Sequence, residues 1–136
     1  MALILAITSE QQAGETRVAA TPDTVKKWAA AGLTVKVQAG AGLGASIGDD
    51  AFAAAGATIA GTAGEALGNA DLVLKVRGPA ADEIKAMKPG AVVVAMLDAY
   101  RETAMLKALA AANITAYAME FVPRITRAQA LSLIHI

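Results

Sequence analysis

Residues 21–46 read TPDTVKKWAAAGLTVKVQAGAGLGAS, and this stretch decides the fold class. Thr21 is a good N-cap for a helix, Pro22 suits its first position, and Gly32 is typical of the residue that follows a last turn. The apolar run at 33–38 then predicts a strand. A helix followed at once by a buried strand is the repeating unit of an α/β domain.

The same order of elements continues on both sides of this unit. We predict helices at 22–31, 49–55, 62–69, 81–87 and 101–112, and strands at 3–8, 33–38, 58–60, 71–76, 91–97 and 114–119. The strand segments are mostly continuous apolar runs, which is typical of parallel strands covered on both faces. Short connections imply right-handed crossovers. We therefore expect an α/β domain of three layers around a doubly wound, mostly parallel sheet, similar to the Rossmann or flavodoxin folds.

The composition excludes several classes of function. The 136 residues include 12 Lys or Arg and 12 Asp or Glu, and a formal net charge of zero gives no basic surface for nucleic acid. Hydrophobic residues make up 56% of the chain, but no run reaches the ~20 apolar residues of a spanning helix. The lack of cysteine excludes disulfides and thiol-ligated metals. We expect one domain without a metal or direct membrane insertion, in the cytoplasm.

A glycine motif follows the strand at 33–38. Residues 40–45 have the spacing G-x-G-x-x-A of a dinucleotide-binding loop. Such a loop binds pyrophosphate because a helix begins directly after it and directs free N–H groups at the phosphates. Here further residues intervene, and the next predicted helix begins with two carboxylates, Asp49 and Asp50, which suit a helix N-terminus but repel phosphate. We predict a tight strand-to-helix connection rather than a cofactor site.

Four blocks of sequence together resemble one known family. They are EQQAGETRVAATP at 10–22, GAGLGASIGDDAFAAAG at 40–56, DLVLKVRGP at 71–79 and AMEFVPRITRAQ at 118–129. These blocks are similar to the N-terminal half of the nucleotide-binding alpha subunit of proton-translocating NAD(P) transhydrogenase. That family belongs to a superfamily with alanine dehydrogenase. The resemblance covers nearly the whole chain.

The resemblance implies a function for the whole protein. In the family, hydride passes directly between NAD(H) on this subunit and NADP(H) on a partner subunit, coupled to proton translocation through a membrane domain. This chain would then line one side of the NAD(H) cleft, and a second domain would hold most of the NAD(H). The implied partners are the membrane and NADP(H)-binding subunits and a second alpha subunit, in a homodimer. The implied location is cytoplasmic and peripheral to the inner membrane.

The block PRITRAQ supplies the cofactor-binding candidates. In the family, the matching Arg and Gln lie on a loop that reaches across the cleft toward the nicotinamide. The resemblance therefore assigns NAD(H) contacts to Arg124, Ile125, Thr126 and Gln129. It assigns no catalytic residue, because the hydride chemistry belongs to the cofactors.

An alanine dehydrogenase-like NAD-dependent oxidoreductase is the alternative. In those enzymes the residues that match Arg17 and Lys75 bind the carboxylate and carbonyl of the substrate, which makes both substrate-pocket candidates. Their catalytic His would fall at Asp98, and an aspartate does not replace an imidazole that titrates near neutral pH. Glu120 is expected to pair with Arg124 or Arg17 rather than act as an acid. A non-enzymatic α/β binding module is a second alternative.

The last six residues, LSLIHI at 131–136, do not resemble the family. The family has an Asp three residues after the position of Gln129, and this chain has Ser132 there. We interpret 1–130 as the domain and 131–136 as a non-native tail on a chain truncated near Ala130. As a separate chain it is predicted neither to bind NAD(H) tightly nor to transfer hydride.

Overall fold

The computed structural model describes residues 3–98 and 101–121. The strands within them are Ile4–Ile7 (β1), Thr34–Gln38 (β2), Thr58–Ala60 (β3), Leu72–Arg77 (β4), Val92–Met96 (β5) and Thr115–Ala118 (β6). The α-helices are Pro22–Ala30 (α1), Asp49–Ala54 (α2), Ala63–Leu67 (α3), Ala81–Ala86 (α4) and Thr103–Ala111 (α5), and single 3-10 turns lie at Leu43–Ala45 and Met119–Phe121. Every predicted strand and helix is confirmed, with ends shifted by at most about two residues.

The strands of the described residues form one parallel sheet in the order β3-β2-β1-β4-β5-β6. The chain builds outward from β1 to β3, returns to place β4 beside β1, and then builds outward in the opposite direction. This is the Rossmann strand order. The predicted doubly wound α/β domain is therefore confirmed. The flavodoxin order, in which β1 lies beside β3, is not the one observed.

The sheet buries apolar side chains on both faces. Leu5 and Ile7 of β1 pack on one face with Phe52 of α2, and α1 lies on that face too. Ala6, between them, packs on the opposite face with Leu109 of α5, alongside residues of α3 and α4. Successive residues of a strand point to opposite faces, and this explains why β1 is a continuous apolar run.

The ends of α1 follow the sequence signals. The Thr21 hydroxyl accepts a hydrogen bond from the backbone N–H of Thr24 at 3.2 Å, and the Thr24 hydroxyl accepts from the N–H of Thr21 at 2.8 Å. Pro22 occupies the first turn, where its missing N–H costs nothing. Gly32 follows the last turn with φ of 96°, a conformation that favours glycine. The predicted start and stop of this helix are thus confirmed.

Candidate functional site

The strand order brings the carboxyl ends of β1 and β4 side by side. After β1 the chain leads to α1 on one face of the sheet, and after β4 it leads to α4 on the other face. Folds of this type bind ligands in the crevice that opens where neighbouring strands diverge in this way. We call the end of the sheet at which the carboxyl ends of the parallel strands lie, and which contains this crevice, the carboxyl edge.

Glu10 joins the two central strands at this edge. Backbone pairing between β1 and β4 extends to Ile7 and Leu74. Beyond that pair, the Glu10 carboxylate accepts hydrogen bonds from the backbone N–H groups of Val76 and Arg77, each at 3.0 Å. A side-chain carboxylate therefore takes the place of a main-chain acceptor at the end of β4.

Lys75 lies in a group of four side chains that we call the buried cluster: Thr8, Glu10, Lys75 and Glu83. The Lys75 ammonium donates to the hydroxyl of Thr8 and to Oε2 of Glu83, both at 3.1 Å. The Thr8 hydroxyl donates to the same Glu83 oxygen at 2.9 Å. Oε2 of Glu10 is 3.5 Å from the ammonium. The side chains of Lys75, Glu10 and Glu83 are at most 2% exposed.

The buried cluster contains two carboxylates and one ammonium, so its negative charge needs further donors. Glu10 has the two N–H groups of β4, and Oε1 of Glu83 accepts the backbone N–H of Ala80 at 3.0 Å. Both buried carboxylates therefore have backbone donors in addition to the single ammonium. Within the described residues, every buried side-chain nitrogen or oxygen has a hydrogen-bond partner.

A second group of charges lies next to the buried cluster. Arg17 binds the Glu15 carboxylate with two guanidinium nitrogens, at 2.8 and 2.7 Å, and Arg77 Nε donates to Glu15 at 2.9 Å. The hydrogen bonds from Arg17 lower the pKa of Glu15 to about 2, with a smaller contribution from Arg77. Glu15 in turn raises the pKa of Arg17, and the charge of Glu10 acts in the same direction.

A cavity of about 560 Å³ opens at the carboxyl edge between the ends of β4 and β5. This volume lies in the range of small-molecule sites. Its polar lining residues are Glu10, Gln11, Gln12, Arg77, Glu83, Asp98 and Glu102, and its apolar lining includes Met96, Leu97 and Met105. Glu10 and Glu83 are among the lining residues although their side chains are almost fully buried, whereas Lys75 is not a lining residue and contacts both of them from within the protein.

Asp98 lies two residues after the end of β5 and also lines the cavity. Its φ is 53°, in the left-handed region that Asp adopts more readily than most residues. Its carbonyl oxygen accepts the N–H groups of Arg101 and Glu102, each at 3.0 Å. The side chain is exposed, and this is the position where alanine dehydrogenases are expected to carry His.

The glycine motif at 40–45 is folded against the protein itself. The N–H of Gly40 donates to Oδ1 of Asp49 at 2.9 Å. A Cβ on Gly42 would lie 2.7 Å from both the Phe52 ring and the carbonyl oxygen of Ile47. The glycine there serves close packing. Leu43–Ala45 form a single 3-10 turn within the motif, and the expected gap before the next α-helix is confirmed, because α2 begins at Asp49.

Other N–H groups at the carboxyl edge are also bound by acceptors from the chain. The N–H of Ser9 donates to Oε1 of Gln38 at 2.8 Å, and the N–H of Leu97 donates to Oε1 of Glu120 at 2.9 Å. Together with Glu10 and Asp49, side-chain oxygens thus occupy main-chain donors after β1, β2 and β5 and at the end of β4. These are positions where a pyrophosphate would need free donors.

The structure brings Arg17 and Lys75 to the same edge, linked through Glu10. Lys75 contacts Glu10 directly, and Arg17 lies within the electrostatic influence of Glu10. Arg17 pairs with Glu15 rather than Glu120, whose carboxylate binds the N–H of Leu97.

The cofactor-binding candidates Arg124, Ile125, Thr126 and Gln129 lie outside the described residues, as does the predicted boundary between 130 and 131.

The partners of these two cations were not predicted from the sequence. The missed residues are Thr8, Glu10, Glu15, Arg77 and Glu83. Only Glu15 carried a local signal, because it stands two residues before Arg17 in a loop. Glu83 is the third residue of α4, where an acid often completes a capping box, but Ala80 occupies the N-cap in place of Ser or Thr.

The described residues contain no group of three or more His, Cys, Asp or Glu side chains suited to a metal ion. Over the same residues, no helix combines the length and apolar character that crossing a membrane requires.

Comparison with known families gives a consistent match. The family model "Alanine dehydrogenase/PNT, N-terminal domain" matches residues 6–136. An NAD(P) transhydrogenase subunit alpha protein of Rhodospirillum rubrum is 48% identical over 135 residues, covering 96% of this chain and 35% of that protein. The alanine dehydrogenase of Methanococcus maripaludis is 36% identical over 120 residues, covering 88% of this chain and 32% of that protein.

Solved structures of the same two kinds of protein are also similar to this chain. The crystal structure of a transhydrogenase from Sinorhizobium meliloti superimposes with a TM-score of 0.88 at 46% identity, covering 93% of this chain and 37% of that one. An L-alanine dehydrogenase superimposes with a TM-score of 0.85 at 27% identity, covering 96% of this chain and 35% of that one. The chain therefore spans about a third of the length of these relatives.

Proposed function

The chain belongs to the alanine dehydrogenase/PNT N-terminal domain family, and we propose that it forms one side of the NAD(H) cleft in the alpha subunit of an NAD(P) transhydrogenase. In the whole protein, hydride would pass between NAD(H) on this subunit and NADP(H) on a partner subunit, coupled to proton translocation. The proposed partners are the membrane and NADP(H)-binding subunits and a second alpha subunit. The proposed location is the cytoplasmic side of the inner membrane.

The occupied donors at the carboxyl edge are the observation that carries this proposal. A domain that holds a dinucleotide needs free N–H groups for its pyrophosphate. Here Glu10, Gln38, Asp49 and Glu120 already accept those hydrogen bonds. At these four positions the described residues leave no free donor for the pyrophosphate of NAD(H). The part of the relatives that extends beyond this match is the proposed holder of the dinucleotide.

The segment after β6 is the proposed contact with the nicotinamide. The strand β6 is parallel to its neighbour β5, so the chain leaves β6 at the carboxyl edge, next to the end of β5, whose residue Met96 lines the cavity. Arg124, Ile125, Thr126 and Gln129 follow within eleven residues of Ala118, the last residue of β6. They are proposed to reach across the cleft from there.

An alanine dehydrogenase activity is the second candidate, favoured by the placement of Arg17 and Lys75 at one edge of the sheet. The side chain of Arg17 is 24% exposed and already binds Glu15 with two nitrogens. A substrate carboxylate would have to compete with Glu15 for that guanidinium. Asp98 stands in place of the expected catalytic His, which weighs against this candidate.

The two candidates separate in an assay of the full-length protein assembled with its partner subunits. A transhydrogenase reduces an NAD⁺ analogue with NADPH and does not consume pyruvate and ammonia. NADH oxidation that depends on pyruvate and ammonia, without transfer between the two nucleotides, would contradict the proposal and support the second candidate.

A further inference from the structure

The Lys75 ammonium is held from two sides by short contacts and from a third by a long one. Thr8 and Glu83 each accept a hydrogen bond at 3.1 Å, whereas Glu10 is 3.5 Å away. An ammonium has three N–H donors. Two of them are used by Thr8 and Glu83, so the third is directed to the side of Glu10, which lines the cavity.

Both carboxylate oxygens of Glu83 accept hydrogen bonds. Its Oε2 receives the Thr8 hydroxyl and the Lys75 ammonium, and its Oε1 receives the N–H of Ala80 at the start of α4. Its side chain is 1% exposed. The Glu83 carboxylate is anchored by the N–H of Ala80, whereas the Lys75 ammonium lies at the end of a flexible four-carbon stem. Glu83 and Thr8 therefore restrict the position of the ammonium.

We propose that Glu83 is a positioning residue for the cavity at the carboxyl edge. Together with Thr8, it holds Lys75 so that the ammonium supports the Glu10 side of the cavity wall. Glu83 comes from α4, and Thr8 directly follows β1, so the cluster also fixes α4 relative to the central strands. This inference rests on the proposed function, because it assumes that the cavity borders the site of hydride transfer.

The substitution Glu83→Gln keeps the size of the side chain and removes its charge. A matched control is Asp82→Asn, which removes a carboxylate from the same turn of α4 at an exposed position. Thr8→Val removes a hydroxyl with little change of shape and leaves all charges in place. Lys75→Arg keeps the charge but changes the donor geometry. Glu83→Asp keeps the charge and is the conservative rescue variant.

The experiment measures kcat and KM for reduction of acetylpyridine adenine dinucleotide by NADPH in the full-length protein with its partner subunits. NADH affinity and thermal unfolding are measured on the same preparations. We expect Glu83→Gln, Thr8→Val and Lys75→Arg each to lower kcat about tenfold, with KM and NADH affinity changed less than about twofold. Asp82→Asn should leave kcat, KM and NADH affinity unchanged. Glu83→Asp should have a kcat between those of Glu83→Gln and the wild type.

Wild-type kcat in Glu83→Gln or, if that variant does not fold, in Thr8→Val would overturn the inference alone. A fall in thermal stability together with that unchanged kcat would show a structural role only. A wild-type protein that transfers no hydride would overturn the proposed function and this inference together.

Discussion

The carboxylate of Asp49 accepts a hydrogen bond from the backbone N–H of Gly40 at 2.9 Å. The backbone N–H of the first glycine in the G-x-G-x-x-A motif is therefore already bonded to a carboxylate of the protein itself. The contact connects the end of β2 to the first turn of α2. It gives the motif a structural role that needs no cofactor.

Replacing Asp49 with Ala should lower the free energy of unfolding without creating a nucleotide site. Loss of the hydrogen bond and of the favourable charge at the start of α2 should cost about 1 to 2 kcal/mol. Asp50→Ala, at the exposed neighbouring position, retains the contact with Gly40 and should cost about half as much or less. Urea unfolding of both variants measures the difference. Equal stability of the two variants would contradict the role assigned to Asp49.

Replacing Gly42 with Ala should destabilise the loop. The added Cβ would lie 2.7 Å from the Phe52 ring and from the Ile47 carbonyl oxygen, so buried groups must move, at a cost of about 1 to 3 kcal/mol. Gly64→Ala is the control, because Gly64 lies in α3 with its nearest neighbour at 3.8 Å. Alanine there should leave the free energy of unfolding unchanged or raise it by up to about 1 kcal/mol. A neutral Gly42→Ala would contradict the packing explanation.

Replacing Lys75 with Met should be strongly destabilising. The substitution leaves Glu10 and Glu83 buried without their ammonium, and breaking a buried ion pair in this way costs about 3 to 5 kcal/mol. Lys107→Met, at an exposed position of α5, should change the free energy of unfolding by less than about 0.5 kcal/mol. Chemical unfolding of both variants provides the comparison. A loss below about 1 kcal/mol for Lys75→Met would show that the cluster does not depend on its cation.

Glu15 should make the protein less stable in acid. Its pKa is lowered to about 2 in the folded state, chiefly by Arg17. A carboxyl group whose folded pKa lies below its unfolded pKa stabilises the fold at pH values above the unfolded pKa, and this contribution is lost as the pH falls through 4.5 toward 2. Allowing for solvent around Arg77, which is 46% exposed, we expect about 1 to 2 kcal/mol.

The test compares wild type with Glu15→Gln between pH 6 and about pH 2.5. The variant should lose stability at neutral pH and show a weaker decline in acid. Some decline should remain, because the N–H of Ile4 and the ammonium of Lys88 also lower the pKa of Asp71. Parallel stability curves for the two proteins would contradict the assignment to Glu15.

The fold could be predicted from the sequence because its signals are local. Thr21, Pro22 and Gly32 determine the ends of α1, and continuous apolar runs such as β1 indicate buried parallel strands. The strand order was only partly predicted. Nothing local to β4 indicates that it lies beside β1 rather than elsewhere in the sheet.

The site was predicted less completely because its contacts span long distances in sequence. Arg17 and Lys75 were identified through the family resemblance, but Glu10 contacts residues more than 60 positions away, as does Thr8 in its bond with Lys75. No periodicity or motif encodes such pairs. The buried cluster could be recognised only once the strand order had placed β1 beside β4.

The central claim is that this chain borders the NAD(H) cleft but does not hold the dinucleotide. Titration of the 136-residue chain with NADH, followed by fluorescence, tests it most directly. We expect no saturable binding, whereas a protein that also contains the second domain should bind NADH under the same conditions. Micromolar binding of NADH by this chain, lost on Gly42→Ala, would place the pyrophosphate at the glycine motif and contradict the claim.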